Sequence, residues 1–426
     1  MATVGAGPSE TRAARGDASS RRALVMSCSV HALHDGYADL LYVLLPLWQL
    51  EFRLGYAAIG ALRAVYIGLM AGLQVPSSVA AQCSSNVLIL TVGTALAATG
   101  YLVAGASTGF VVLVLSLAIA GIGSSAQHPI GSSVVAQAYE GQQSRAALGT
   151  YNFAGDLGKM AFPLTTAWLV SRLPWRTTVS LVGLAGFAMA IAIPFLLRGT
   201  HVGRAAQPKS AAPEAASRGG EKSARHARGI STSSFRLLFA IGVLDTATRM
   251  GFLTYLPFLL RGKGAPISTI GLALSLVFAG GAAGKLVCGF LGAQLGVLTT
   301  VLLTEGLTAA GILALLPLRL HPGLLLLPLI GIALNGTSSV LYGTVPELVS
   351  EERRQRAFGT FYTGTIGAGA ISPAIYGLFG DALGVKATMI LVAGVALLTL
   401  PLAWLLNPTL RRLQANDGAN ATAASC

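Results

Sequence analysis

Residues 31–48 read HALHDGYADLLYVLLPLW and place two histidines and two aspartates at the head of an otherwise apolar run. Asp35 and Asp39 are four residues apart, and His31 precedes Asp35 by four, so a helix would carry all three on one face. His34 is displaced from that face by about 100°. A carboxylate in an apolar helix requires a partner or a water-filled cavity. Because carboxylates and imidazoles can bind and release protons, this segment is a candidate proton-binding element.

A second apolar segment, GVLDTATRMGFLTYLPFLL, repeats the pattern with a change of charge. Asp245 follows Asp35 by 210 positions, and Arg249 stands where the first copy has Asp39. Arg249 can pair with Asp245 on its own helix, or with Asp35 or Asp39 if the two helices face each other. Two interpretations are open. The charges form a permanent buried ion pair, or two carboxylates compete for one arginine and one of them exchanges a proton.

Further polar residues interrupt other apolar segments. Asp156 and Lys159 in NFAGDLGKMAFP are three positions apart and share a helix face, where they either neutralise each other or act on a ligand. Lys285 stands where the first copy has Gln74 and has no acidic partner in its own segment. A lone buried cation requires an anion, so we expect Lys285 to pair with Asp156, another carboxylate or a substrate.

Arg63 and His128 each allow two interpretations. Arg63 lies near the end of its segment, so its head group either extends to the membrane surface or lines a cavity. His128 precedes Pro129, which predicts a helix break, and the imidazole either satisfies the freed backbone groups or carries protons. Glu305 falls in a segment that we expect to be peripheral, and the sequence assigns it no role.

The whole chain is too apolar for a soluble protein. Of its 426 residues, 53% are hydrophobic and 11% charged, whereas soluble domains carry about 25% charged residues. Its mean hydropathy is +0.67. A helix needs about 20 apolar residues to cross a layer of about 30 Å, and helices satisfy their own backbone in lipid. The sequence therefore predicts an all-α membrane protein with twelve transmembrane helices at 24–50, 57–80, 86–106, 110–138, 145–171, 175–198, 236–260, 267–292, 297–317, 322–346, 356–379 and 385–407.

The net charge of +13 is explained by the positions of the basic residues. Most of them lie in both tails and in one polar segment, as expected for cytoplasmic segments beside anionic lipid rather than for a nucleic-acid-binding protein. This predicts an integral membrane protein, in a bacterial inner membrane, with both termini cytoplasmic. The predicted divisions are a tail at 1–23, a six-helix bundle at 24–198, a linker at 199–235, a second six-helix bundle at 236–407 and a tail at 408–426.

The two predicted bundles are related in sequence. An offset of 210 positions superimposes RAALGTYNFAGDLGKMAFP on RAFGTFYTGTIGAGAISP and pairs Gly149 with Gly359, Pro163 with Pro373, and Gly121 with Gly331. An offset of six helices gives two parallel copies in the same orientation, a pattern found in transporters whose site lies between halves.

Two six-helix copies joined by a basic linker resemble the major facilitator superfamily. The helix 2–3 signature of that family is poorly retained, since SVAAQCSSN has Gln82 and Cys83 at its charged positions. The segments HDGYADLLYVLLPLWQLEF, LQVPSS, QHPIGSS and GTFYTGTIGAGAISPAIYGLFGDALGV are similar to the fosmidomycin-resistance-type efflux branch. The resemblance implies a 6+6 fold that transports by alternating access.

These residues together lead to a functional hypothesis: a secondary active transporter, a proton-coupled antiporter that exports a small drug or anionic metabolite. Alternatives are proton-coupled uptake of a small organic anion and a sensor that does not transport. The predicted proton-coupling residues are Asp35, Asp39, Asp245 and His128. The residues expected to bind substrate or form ion pairs in a central cavity are Arg249, Lys285, Asp156, Lys159, Arg63, His31 and Gln74.

No sequence motif indicates an enzyme. The chain has no P-loop, zinc-protease or nucleophile-elbow motif, and its four cysteines lack metal-binding spacing. We therefore expect no cofactor and no metal, and a monomer whose partners are a small-molecule substrate, protons and the lipid bilayer.

Overall fold

The structure, a computed structural model, describes residues 8–139, 141–198, 200, 232–349 and 351–424. All regular structure in these residues is helical. The predicted linker at 199–235 lies almost wholly outside them, as does the beginning of the N-terminal tail.

Twelve α-helices and one short 3-10 helix make up the described chain. In chain order they are α1 Pro8–Glu51, α2 Tyr56–Gly72, α3 Gln74–Cys83, α4 Asn86–Gly105, α5 Phe110–Ser124, α6 Gln127–Ala138, α7 Gly141–Val170, α8 Trp175–Leu196, α9 Thr232–Gly262, α10 Ile267–Leu315, α11 Leu320–Thr344, the 3-10 helix Val345–Glu347, and α12 Glu351–Ala424.

Each predicted membrane span coincides with a helix, part of a helix or a pair of helices. α10 is divided at Gly296 (φ 78°, ψ 166°), and α12 at Gly384 (φ 81°, ψ 168°). Glycine adopts this positive-φ conformation without the steric cost of a Cβ atom, so each long helix separates into two spans at the predicted boundary. The predicted break near His128 is also present, at residues 125–126 between α5 and α6.

Nine segments of the described residues are long and apolar enough to cross a membrane. One of them, Arg356–Thr409, has 54 residues and contains two spans on either side of Gly384. α1 and α7 are not among the nine, because their ionisable residues lower the mean hydropathy. With these two helices, the predicted twelve spans are accounted for.

The chain divides into two compact units. Of the described residues, unit 1 comprises those within Met1–Leu44 and Val65–Ser210, and unit 2 comprises those within Leu45–Ala64 and Ala211–Cys426. The core of unit 1 includes Met26 and Val30 of α1 with Ile130 of α6. The core of unit 2 includes Leu238 and Ile241 of α9 with Phe361 of α12.

The same glycine contact occurs once in each unit. In unit 1, a Cβ atom at Gly121 would lie 2.5 Å from the carbonyl oxygen of Tyr66. In unit 2, a Cβ atom at Gly331 would lie 2.2 Å from the carbonyl oxygen of Val277. Small residues let membrane helices approach closely. Because both partners match in the sequence repeat to within one position, the duplication extends to helix packing.

Unit 2 includes the end of α1 and the start of α2, which the sequence divisions placed in the first bundle. The Asp381 carboxylate accepts hydrogen bonds from the backbone N–H groups of Tyr56 (2.5 Å) and Ala57 (3.0 Å). A Cβ atom at Gly60 would lie 2.3 Å from the carbonyl oxygen of Pro373. This cap and this close packing explain why residues 45–64 group with α12.

Candidate functional site

The Asp35 side chain is the centre of a buried cluster in unit 1. Its Oδ2 lies 3.2 Å from His31 Nε2 and 3.2 Å from Lys159 Nζ, and its Oδ1 lies 3.4 Å from His128 Nε2. Three nitrogen-bearing side chains from α1, α6 and α7 thus surround the carboxylate of Asp35, a residue that is 5% exposed. The structure therefore brings together four of the predicted site residues.

Helix positions and two glycines explain the convergence. His31 lies one turn before Asp35 on α1, and His128 lies in the first turn of α6, directly after the break. On α7, a Cβ atom at Gly155 would lie 2.6 Å from both Asp35 Oδ2 and His31 Nε2. A Cβ atom at Gly158 would lie 2.1 Å from the carbonyl oxygen of Ala32. Only glycine at these positions lets α7 approach α1 closely enough for Lys159 to reach Asp35.

Both ring nitrogens of His31 face oxygen atoms of other groups. His31 Nδ1 lies 2.8 Å from the backbone oxygen of Tyr151, whose ring stacks on the imidazole at 4.1 Å. A carbonyl oxygen only accepts, so Nδ1 carries the hydrogen. In a neutral imidazole, Nε2 would then present a lone pair to Asp35 Oδ2 at 3.2 Å. This contact is attractive only when a further proton lies on Nε2 or on the carboxyl group.

Asp39 and Asp156 extend the cluster through Lys159. Asp156 Oδ1 lies 3.7 Å from Lys159 Nζ, and Asp39 also attracts this ammonium group. Both carboxylates are buried. Lys159 therefore joins Asp35, Asp39 and Asp156 in one cluster.

His31, Asp35 and His128 also have the composition of a metal site, with ligand atoms within 4.8 Å of one another. The Lys159 ammonium group, however, lies 3.2 Å from Asp35 Oδ2 and occupies the position of a cation beside that oxygen. We therefore assign no metal to this cluster.

His34 has a different environment from His31. Its Nδ1 lies 3.2 Å from Ser124 Oγ, and its Nε2 lies 3.0 Å from Thr94 Oγ1. Both partners are hydroxyl groups on neighbouring helices, so His34 links α1 to α4 and α5. This placement agrees with its displacement from the face of His31 and Asp35.

Sequence reasoning missed Tyr151 and Gln127. Tyr151 orients His31, and Gln127 Nε2 donates to the Tyr151 hydroxyl at 2.9 Å. The spacing of Tyr151, Gly155 and Lys159, four residues apart on α7, is the signal that could have indicated the tyrosine.

Unit 2 contains a second buried group of charges. Asp245 on α9 and Glu305 on α10 are 3% and 2% exposed and are in hydrogen-bonding contact. Arg249, one turn after Asp245, attracts its carboxylate. Glu305 therefore faces the interior of unit 2, and the expectation that its helix is peripheral stays a prediction. Thr300, Thr304 and Thr308, which recur every four residues and are buried, indicate the polar inner face that the sequence reading missed.

Three other predicted site residues, Arg63, Lys285 and Gln74, differ in how far they are buried. Arg63 is 2% exposed, so its head group does not extend to the surface as one interpretation required. Lys285 is exposed, which corrects the expectation of a buried cation. Gln74, half-buried, begins α3. The proposed contact of Arg249 with Asp35 or Asp39 stays a prediction.

The family follows from comparison with known proteins. Residues 28–258 and 237–424 match the sequence profile of the Major Facilitator Superfamily, so the chain belongs to that superfamily. It is an integral membrane transporter rather than an enzyme, with the fold of secondary transporters that work by alternating access. No curated protein matched the chain.

Solved structures agree with this fold. The chain is similar to a bacterial homologue of the human lysosomal transporter Spinster, in an inward-facing and unoccupied conformation, with 17% identity and a TM-score of 0.76 over 96% of this chain and 99% of that one. It is also similar to the nucleoside transporter NupG, with 14% identity and a TM-score of 0.70 over 92% and 99% of the two chains. A peptide transporter (POT) in complex with sulfate gives 14% identity and a TM-score of 0.71 over 92% and 95%.

Proposed function

We propose that the protein is a proton-coupled antiporter in which the His31–Asp35 pair binds the coupling proton. The supporting observation is the hydrogen bond from His31 Nδ1 to the Tyr151 carbonyl, which leaves Nε2 facing Asp35 Oδ2 at 3.2 Å. This geometry requires one proton more than neutral histidine and ionised aspartate provide.

Lys159 couples that proton to an anionic substrate. In the structure its ammonium group lies between Asp35 and Asp156. A substrate anion that binds Lys159 removes the positive charge from Asp35, and the carboxylate then favours a proton in compensation. Proton and anion occupancy are thereby linked by one positive charge shared among carboxylates. This step binds proton and anion together and so favours the uptake alternative, whereas antiport requires a substrate whose binding displaces the proton.

The direction of transport that we propose is export of a small drug or anionic metabolite. The support is the resemblance of four segments, beginning with HDGYADLLYVLLPLWQLEF, to the fosmidomycin-resistance-type efflux branch. We further propose that both termini are cytoplasmic, because the basic residues concentrate in the tails and linker. We also propose that the protein is a monomer in a bacterial inner membrane.

The test uses Asp35→Asn in purified protein reconstituted into liposomes, with fosmidomycin as the first probe. We expect the variant to lose transport driven by a proton gradient but to retain counterflow, because asparagine cannot exchange a proton. Glu51→Gln, which removes an exposed carboxylate from the same helix, is the matched control and should retain both activities.

Intact gradient-driven transport in Asp35→Asn would refute the coupling assignment. If wild-type protein binds probes but neither exchanges nor accumulates any of a panel of drugs and organic anions, the chain is a sensor. Gradient-driven accumulation on the side opposite to export would favour the uptake alternative.

A further inference from the structure

Asp245 and Glu305 form a pair that the function proposed above does not use. Asp245 lies on α9 and Glu305 on α10, both within unit 2. Each residue is at most 3% exposed, and the two carboxyl groups are in hydrogen-bonding contact.

A hydrogen bond between two carboxyl groups contains a proton. Ionised carboxylates only accept hydrogen bonds, so two of them in contact repel each other, whereas a carboxylic acid donates to a carboxylate. Like-charged carboxylates that share a site cannot both ionise without a large cost. The contact between Asp245 and Glu305 therefore indicates one shared proton.

The charges around the pair also indicate one bound proton. Arg249 on α9 attracts Asp245, while Glu305 also contacts the hydroxyl groups of Thr337 on α11 and Thr399 on α12. Two carboxylates and one guanidinium carry a net negative charge, and one proton makes the group neutral. Neutrality is strongly favoured where water is excluded.

We propose that Asp245 and Glu305 share one exchangeable proton and form a second proton-binding site of this transporter. The proton-binding step stands independently of the His31–Asp35 pair. Its use in transport rests on the proposed function.

Unsatisfied atoms at the site suggest how the proton is released. Glu305 Oε2 and Arg249 Nε are both buried without a hydrogen-bond partner among the described residues. When the proton leaves, the second carboxyl group becomes negatively charged. A guanidinium N–H group can stabilise this charge by donating a hydrogen bond to it. Rotation of the Arg249 side chain toward Glu305 would pair these two atoms and compensate the new charge.

The test is infrared difference spectroscopy of the purified full-length protein in lipid nanodiscs near neutral pH. In wild type we expect a carbonyl stretching band from a protonated carboxylic acid that shifts on exchange into deuterium oxide. Glu305→Gln and Asp245→Asn should each lose this band, because the remaining carboxylate ionises beside Arg249. Glu51→Gln, an exposed carboxylate in the same unit, should keep it.

A band that persists at full intensity in Glu305→Gln would overturn the proposal, as would its absence from wild type. Glu305→Gln is close to isosteric, and its thermal unfolding is measured in the same nanodiscs, so the proposal can be decided even if Asp245→Asn does not fold. Asp35→Asn separates the two sites. We expect it to keep the Glu305-dependent band even though it abolishes gradient-driven transport.

Discussion

A single hydrogen bond to the backbone determines the chemistry of His31. The spacing of His31, Asp35 and Asp39 predicts their shared helix face, and the structure places all three in one buried cluster. The sequence could not predict the tautomer of His31, because it depends on the carbonyl oxygen of Tyr151 on a different helix. Contacts between helices distant in sequence are not encoded by the period of either helix.

Gly155→Ala tests whether the close approach of α7 holds the site together. The added methyl group would lie 2.6 Å from Asp35 Oδ2 and His31 Nε2, so it must separate the pair or displace α7. We expect a loss of about 1–3 kcal/mol in unfolding free energy, as in other overpacked sites, together with the loss of gradient-driven transport. Thermal unfolding and transport in liposomes measure the two effects.

Gly149→Ala is the control on the same helix. A Cβ atom at Gly149 meets no heavy atom within 4 Å. Because alanine favours helix over glycine by roughly 0.5–1 kcal/mol, this variant should be at least as stable as wild type and fully active. Equal stability and activity of the two alanine variants would contradict the role given to Gly155.

At the scale of elements, the sequence predicts the helices well and their partners poorly. Apolar length and glycine positions locate the spans, including the divisions at Gly296 and Gly384. They do not show that residues 45–64 pack in unit 2, or that Glu305 is buried. Both facts depend on which face of a helix meets which neighbour, and an almost uniformly apolar helix leaves that face unspecified.

Asp381→Ala should loosen the start of α2. The Asp381 carboxylate accepts from the backbone N–H groups of Tyr56 and Ala57, which have no partner within the helix. By analogy with other helix caps, we expect a loss of about 0.5–2 kcal/mol in unfolding free energy. Hydrogen exchange should accelerate at the amides of Tyr56 and Ala57.

Asp381→Asn keeps one oxygen acceptor, so its unfolding free energy and its amide exchange rates should lie between those of Asp381→Ala and wild type. Unchanged exchange at Tyr56 and Ala57 in Asp381→Ala would show that the cap does not hold this helix end.

At the scale of the whole molecule, duplication supplies two equivalent aspartates that have acquired different partners. Asp35 contacts a histidine on its own helix and a lysine on α7, whereas Asp245 contacts Glu305 on α10 and is attracted by Arg249. The sequence repeat predicts the equivalence of the two aspartates. It does not predict their partners, because His31, Lys159 and Glu305 lack charged counterparts in the other copy.

Arg249→Ala should therefore affect the protein differently from Asp35→Asn. Removing the guanidinium leaves Asp245 and Glu305 with one negative charge in a buried site, and loss of one partner of a buried pair costs about 3–5 kcal/mol. We expect both gradient-driven transport and counterflow to be lost, and thermal unfolding to occur at a lower temperature. Adding Asp245→Asn removes the uncompensated charge, so the double variant should recover stability over Arg249→Ala, a coupling measured by a double-mutant cycle. Normal counterflow in Arg249→Ala, or strictly additive effects in the cycle, would show that Arg249 does not neutralise this site.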